Sequence, residues 1–173
     1  YGEANGPEIY YLENGKVELK GVRKDGEKEG WYEFFAPDGH LQYRVRYHLG
    51  VAIAYTYQDK DGKFLPEIAM PNASGEFSCT FSNGVASAKG SYVNGERNGL
   101  YTKYYFNGKK SFETSYINGF IHGTYINYYE NGKIMDEVTY VNGAKEGVEK
   151  KYDEKGNLTM ETTWVNDIKT ESQ

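Results

Sequence analysis

The chain has 173 residues, 38% hydrophobic and 26% charged, which suits one folded domain of ordinary size. Its formal net charge is −5, with lysines and acids interspersed, so it offers no basic footprint for nucleic acid or an anionic lipid surface, and neither is expected as a partner. Cys79 is the single cysteine, which excludes an internal disulfide framework and any multi-cysteine metal site.

Aromatic residues make up 16% of the chain, 18 of them tyrosine, while long aliphatic side chains are scarce. A core built from rings favours strands over helices. No window approaches the length of apolar sequence that a membrane-spanning helix needs. The chain opens on Tyr1 rather than methionine, so a removed upstream segment such as a signal or lipoprotein leader is expected, and an exported location is favoured over a cytoplasmic one.

Glycines set a period along the chain. Gly15, Gly39, Gly62, Gly84, Gly108, Gly132 and Gly156 are 22 to 24 residues apart and define seven units, near 8–30, 31–53, 54–74, 75–99, 100–123, 124–147 and 148–168. A second turn residue follows eleven positions later, at Gly26, Gly50, Gly95, Gly119, Gly143 and Asp167, and a third glycine stands nine before, at Gly30, Gly75, Gly99, Gly123 and Gly147. Asn-Gly dipeptides tolerate positive φ at both central positions of a type I′ turn, so each unit reads as a hairpin turning at its first glycine, with a wider turn into the next unit.

The expected fold is therefore all-β: an elongated, twisted antiparallel sheet of about seven stacked hairpins of ~24 residues, with almost no helix. A two-residue turn assigns the faces. One carries Leu41, Tyr43, Val45 and Tyr47 opposite Tyr32 and Phe34, and in later units Tyr101, Tyr105, Tyr125 and Tyr129; this is the core face. The other carries Arg44, Glu113 and Glu137 and is wet. The highly charged seventh unit and the irregular first one read as caps, the polar tail "DIKTESQ" from Asp167 shielding the last edge. The third unit is irregular too: "LPEIAMPNAS" is two residues short and holds two prolines that cannot donate to a central ladder, so a kink is expected at 65–74 within a single array.

The stretches "GLYTKYYFNGKKSFETSYINGFIHG" and "GTYINYYENGKIMDEVTYVNGAKEG" resemble the MORN repeat in its bacterial variant form, and the likeness extends over roughly residues 8–168. That resemblance implies a hairpin array without catalytic machinery, used as a scaffold or binding surface, as in bacterial proteins classed with antitoxins; eukaryotic relatives are linked to membrane association and protein assembly.

The residues themselves suggest little chemistry. His40, His48 and His122 occupy three unrelated offsets with no metal-ligand neighbours at short spacing, Cys79 has no histidine in its unit, and adjacent acids such as Asp136 and Glu137 point to opposite faces of a strand. No catalytic residue, metal or cofactor is expected, and the chain reads as a non-enzyme. What remains is rings. Tyr11, Phe35, Tyr104, Tyr128 and Tyr152 recur four positions before the hairpin glycine on the wet face, and with Tyr101 and Tyr125 of the core face they form the candidate binding set. A one-sided sheet needs cover for its apolar face, from its own curvature, from a second copy by self-association, or from a partner. The favoured reading is a module binding another protein, a toxin among the candidates. The alternative is a carbohydrate or cell-wall binder, because "GWYEFFAPDG" superficially resembles the aromatic repeats of choline-binding cell-wall proteins.

Overall fold

A computed structural model describes residues 4–170 and is built of antiparallel strands, with one short 3₁₀ turn, Pro71–Ala73, and no α-helix among these residues. Six strands form the first sheet in chain order: β1 (Gly6–Tyr11), β2 (Val17–Lys24), β3 (Glu27–Phe35), β4 (Leu41–His48), β5 (Val51–Thr56) and β6 (Ile68–Ala69). The second sheet begins with β7 (Gly75–Thr80), β8 (Ala86–Val93), β9 (Glu96–Arg97), β10 (Gly99–Tyr104), β11 (Lys110–Ile117) and β12 (Phe120–Ile121). It continues through β13 (Gly123–Tyr128), β14 (Ile134–Val141), β15 (Ala144–Tyr152), β16 (Leu158–Val165) and β17 (Ile168–Thr170). Of the tail expected to shield the last edge, Ile168–Thr170 pairs with β16, and 171–173 lie outside the described residues.

The turns assign their types the opposite way from the sequence expectation. At the hairpin glycines only the glycine is left-handed: Gly108 has φ 85°, its N–H donates to the Tyr105 carbonyl at 2.9 Å, and the Tyr105 N–H donates to the Lys109 carbonyl at 2.8 Å. That is a type I turn closed by a glycine bulge, not type I′. The tight two-residue turns join the units instead. Asn118 (φ 48°) and Gly119 (φ 78°) are both left-handed, and Ile117 pairs directly with Phe120. An Asn-Gly pair satisfies either geometry, so the dipeptide alone does not separate them.

The hairpin asparagine has a second task. Asn107 Oδ1 accepts from the Lys109 N–H at 3.0 Å within its own turn, while its Nδ2 donates to the Glu130 carbonyl in the next turn, also at 3.0 Å. Lys109 Nζ reaches the Asn131 carbonyl at 2.8 Å. Asn131 and Lys133 repeat both bonds to the following turn, and Asn14 and Lys16 make them in the first sheet. The Asn-Gly-Lys turn is thus a stacking device whose bonds fix the rise from unit to unit.

The ladder stops once, between β6 and β7, where the Pro71–Ala73 turn intervenes. There the chain reverses, and the ring-bearing face of the first sheet lies against the start of the second. The apolar face is covered by the other half of its own chain, a solution separate from curvature, a second copy or a partner. Tyr43 packs on Phe77 at 5.5 Å between ring centroids, and its hydroxyl hydrogen-bonds that of Tyr101. Gln42 Nε2 donates to the carbonyls of Ser87 (3.1 Å) and Tyr104 (3.0 Å), and Ser87 Oγ donates back to the Gln42 carbonyl at 2.9 Å. At the turns, Asp38 Oδ2 accepts from the Phe106 N–H at 3.0 Å while His40 stacks on the Phe106 ring at 4.0 Å. The core is this seam: Tyr32, Phe34, Tyr43, Val45, Tyr47, Phe77, Cys79, Tyr92 and Tyr101 are all buried. Cys79 is a buried residue of β7, and burial pushes its thiol pKa up.

Gly90, in the middle of β8, has ordinary strand dihedrals but leaves room for two rings: a Cβ there would stand 2.8 Å from Phe77 and 2.9 Å from Tyr101. Gly90→Ala is expected to destabilise the protein by about 1–3 kcal/mol through overpacking, read as a lower urea midpoint at unchanged m-value. Removal of glycine freedom alone would stabilise by roughly 0.4–1 kcal/mol, so a gain would contradict the ring-on-backbone packing.

Candidate functional site

Covering is incomplete because the second sheet is longer. The first sheet meets β7, β8 and β10, through Tyr43 with Phe77, Gln42 with Ser87 and Tyr104, and Glu18 with Lys103, whereas further along the second sheet Tyr125, Tyr140 and Trp164 are only half-buried. A cleft of about 730 Å³ lies where the cover ends, walled on one side by Leu12, Glu13 and Asn14 and floored by inner-face side chains of the second sheet.

At the inner end of the cleft sits Arg97, two residues after Gly95, brought inward by the tight turn and the short pairing of Tyr92 with Arg97. Its guanidinium carbon is 4.2 Å from the Tyr101 ring centroid, 5.5 Å from Tyr116 and 5.7 Å from Phe34. Its Nη atoms donate long hydrogen bonds to the hydroxyls of Tyr116 and Tyr43 (3.4 Å each) and Tyr101 (3.5 Å). Burial holds the Tyr43 and Tyr101 phenol pKa values up, so these hydroxyls face the cation as neutral dipoles. Among the described residues no carboxylate lies within ion-pair distance of Arg97.

Lys103, on β10, shares the recess. Its ammonium is 6.0 Å from the Tyr101 ring and 5.9 Å from Phe112, with one acid near it, Glu18 of the first sheet at 3.6 Å. Its side chain is 12% exposed, and burial pulls its pKa down to about 8, Glu18 pulling the other way and Arg97 adding to the depression. Ser111 also lines the cleft, and its Oγ is buried without a hydrogen-bond partner.

Further out the polar groups are compensated. Asp136 accepts from Asn127 Nδ2 at 2.9 Å, and burial raises its pKa. Glu149 accepts from Lys145 Nζ at 2.8 Å and from the Trp164 indole N–H at 2.9 Å. Between these groups lie rings: Tyr125 meets Phe112 edge-on at 4.9 Å and Tyr140 at 5.5 Å. Among the described residues no three His, Cys, Asp or Glu side chains are grouped to hold a metal. The arrangement is suited to holding a ligand by ring faces and the Arg97 guanidinium.

Of the residues singled out from sequence, Phe35, Tyr101, Tyr125 and Tyr128 line the cleft. Tyr104 lies beside it with its carbonyl bound to Gln42, Tyr152 donates to Glu137 Oε1 at 2.8 Å, and Tyr11 is exposed on β1 of the first sheet. At Tyr11, Phe35, Tyr104, Tyr128 and Tyr152 the strand register shifts beside a hairpin turn, with the extra residue (Glu18, Gln42, Ser111, Met135 and Thr159) on the facing strand, and Tyr128 and Tyr152 lie near Glu113 and Glu137 of the wet face. Arg97, Lys103 and Ser111 were missed. A signal for Arg97 exists: two residues after a turn glycine stand Lys28, Arg97 and Lys145, and each cation lies within 6 Å of the ring nineteen residues on, Tyr47, Tyr116 and Trp164.

This geometry defines a repeat array of stacked antiparallel hairpins with a ligand-sized cleft. A family model matches part of this array: residues 97–118, 121–142 and 145–166 are similar to the MORN repeat variant, in three consecutive copies. The matched segments begin at Arg97, Ile121 and Lys145, the inward position after each tight turn. No curated protein matches the chain.

Because the folded-state pKa of Lys103 lies below the ordinary 10.5, the fold disfavours its charged form. Stability is expected to rise with pH from about 8 toward 10.5, by up to roughly 3 kcal/mol, as the unfolded chain holds the proton longer than the native one. Urea unfolding at pH 7 and 9.5 checks this: Lys103→Met is expected to be more stable than the parent at pH 7 and to lack the rise.

Proposed function

We propose that the chain is a non-catalytic interaction module that holds another protein along the open inner face of its second sheet. MORN repeats are generally modules of protein and membrane interaction, which supports the class. The observation that carries the reading is the unfinished cover: past the first sheet, Tyr125, Tyr140 and Trp164 are half-buried, and Leu158 and Met160 are 50% and 51% exposed on the last hairpin. Rings and aliphatic side chains left this accessible, interspersed with polar groups already bonded to one another, suit a docking surface. A toxin held in the manner of an antitoxin or immunity protein, or a component of an assembly built on this scaffold, fits the description. The net charge of −5 disfavours an anionic membrane as the bound surface.

Affinity capture from native extract, with the parent chain compared against Tyr125→Glu and Met160→Glu, tests the reading. The parent is expected to retain a defined protein and each variant to lose it by about tenfold or more, as loss of a central interface anchor implies. Equal retention by the variants, or retention of glycan in place of protein, would contradict it.

A further inference from the structure

We propose that the recess at Arg97 is a carboxylate-binding site that takes an Asp or Glu side chain from an extended segment of a protein partner. It rests on the reading that the open face holds a protein, and it assigns the chemistry of the contact.

Of the other inward cations among the described residues, Lys28 shares with Arg97 the lack of a close acid and lies over the Tyr32 and Tyr47 rings, while two are paired. Arg23 meets Glu8 at 2.8 Å, and Lys145 meets Glu149 at 2.8 Å. Arg97 has only ring faces and phenol hydroxyls at 3.4–3.5 Å, which are long for hydrogen bonds to a guanidinium. A buried cation left without a counter-charge is costly, and an incoming carboxylate replaces weak dipolar contacts with charge-assisted, bidentate ones. Independently, the buried Ser111 Oγ, beside Phe112 on the same cleft, has no partner and is an unfilled donor for a polar group of the bound segment.

The neighbours favour a carboxylate. Arg97 and Lys103 act on each other as like charges, and Glu18 is the one carboxylate within ion-pair distance of the two among the described residues. A planar carboxylate matches the guanidinium fork, whereas a phosphate monoester, with about −1.5 to −2 charges, meets stronger repulsion from Glu18. The surroundings select the carrier. The cleft runs outward past Phe112, Tyr125 and Tyr140, so a side chain anchored at Arg97 has flanking residues that lie on rings. Burial already draws the Lys103 pKa down to about 8, so an anion seated beside it has a spectroscopic consequence: the Lys103 titration moves upward.

Two peptides differing at one group serve as probes, Ac-Phe-Asp-Phe-NH₂ and Ac-Phe-Asn-Phe-NH₂, titrated into the full chain with NMR detection of the Arg97 Nε–Hε and Lys103 Nζ signals. The Asp peptide is expected to bind at least tenfold more tightly than the Asn peptide and to raise the Lys103 titration midpoint. Arg97→Gln is expected to bring the two peptides to parity. Lys103→Met, which removes a destabilising charge and so keeps the fold, is expected to narrow their difference severalfold. Equal binding of the two peptides to the parent, or a preference that survives Arg97→Gln, overturns the proposal. So does flotation with phosphatidate vesicles that is lost in Arg97→Gln, since it assigns the recess to a lipid headgroup. If Tyr125→Glu abolishes capture of a protein while the two peptides bind alike, the carboxylate site alone fails. If the Asp peptide is preferred while capture ignores Tyr125→Glu, the site stands and the surface reading fails.

Discussion

Everything in this molecule depends on the burial of one ring-bearing sheet face against another. Each hairpin presents two or three rings on one side, and a single ribbon of such hairpins leaves them all in water. The reversal at Pro71–Ala73 removes that cost by laying Tyr43 on Phe77 and joining its hydroxyl to that of Tyr101. The polar residues at the seam are as well matched as the rings, since Gln42 and Ser87 exchange hydrogen bonds across it. One Gln42 oxygen is left without a partner, a modest debt against a seam of this size.

Periodicity along the sheets and pairing between them do different work. The Asn-Gly-Lys turns bond each unit to the next through side chain and main chain, which makes the array a stiff one-dimensional stack. Nothing in that stacking stops the second sheet at the length of the first. With six strands in one sheet and eleven in the other, the pairing must run out, and the open strip and the cleft appear where it does. The candidate site is thus a consequence of unequal halves rather than of an inserted loop or a special motif.

Much of the fold was legible in the sequence because glycine has a backbone preference that no other residue imitates. The period, the antiparallel hairpins and the inward positions of Tyr32, Phe34, Tyr43 and Tyr101 all follow from it. Turn type did not, because Asn-Gly satisfies both observed geometries and only the pairing of Ile117 with Phe120 distinguishes them. The two-sheet packing was illegible for a different reason: contacts such as Gln42 with Tyr104 span 62 residues and involve residue types with no directional signature. Gln42 and Ser111 illustrate a third limit, since each is the extra residue of a bulge, a position that simple alternation does not place. Arg97 is an intermediate case, readable from its offset after Gly95 once the cations at Lys28 and Lys145 are seen to share it.

A cleft that arises where a cover ends has rigid walls and a floor of fixed rings, so its specificity resides in the few groups that are not ring. Of these, Arg97 is the one whose charge the described residues leave unmatched. The account as a whole stands on the facing of the two sheets. Inter-proton contacts between the Tyr43 ring and the rings of Phe77 and Tyr101, measured in solution by NOE spectroscopy, test it most directly. Strong cross-peaks between these rings are predicted; a Tyr43 ring with cross-peaks only to its own sheet would mean an open ribbon and would contradict it.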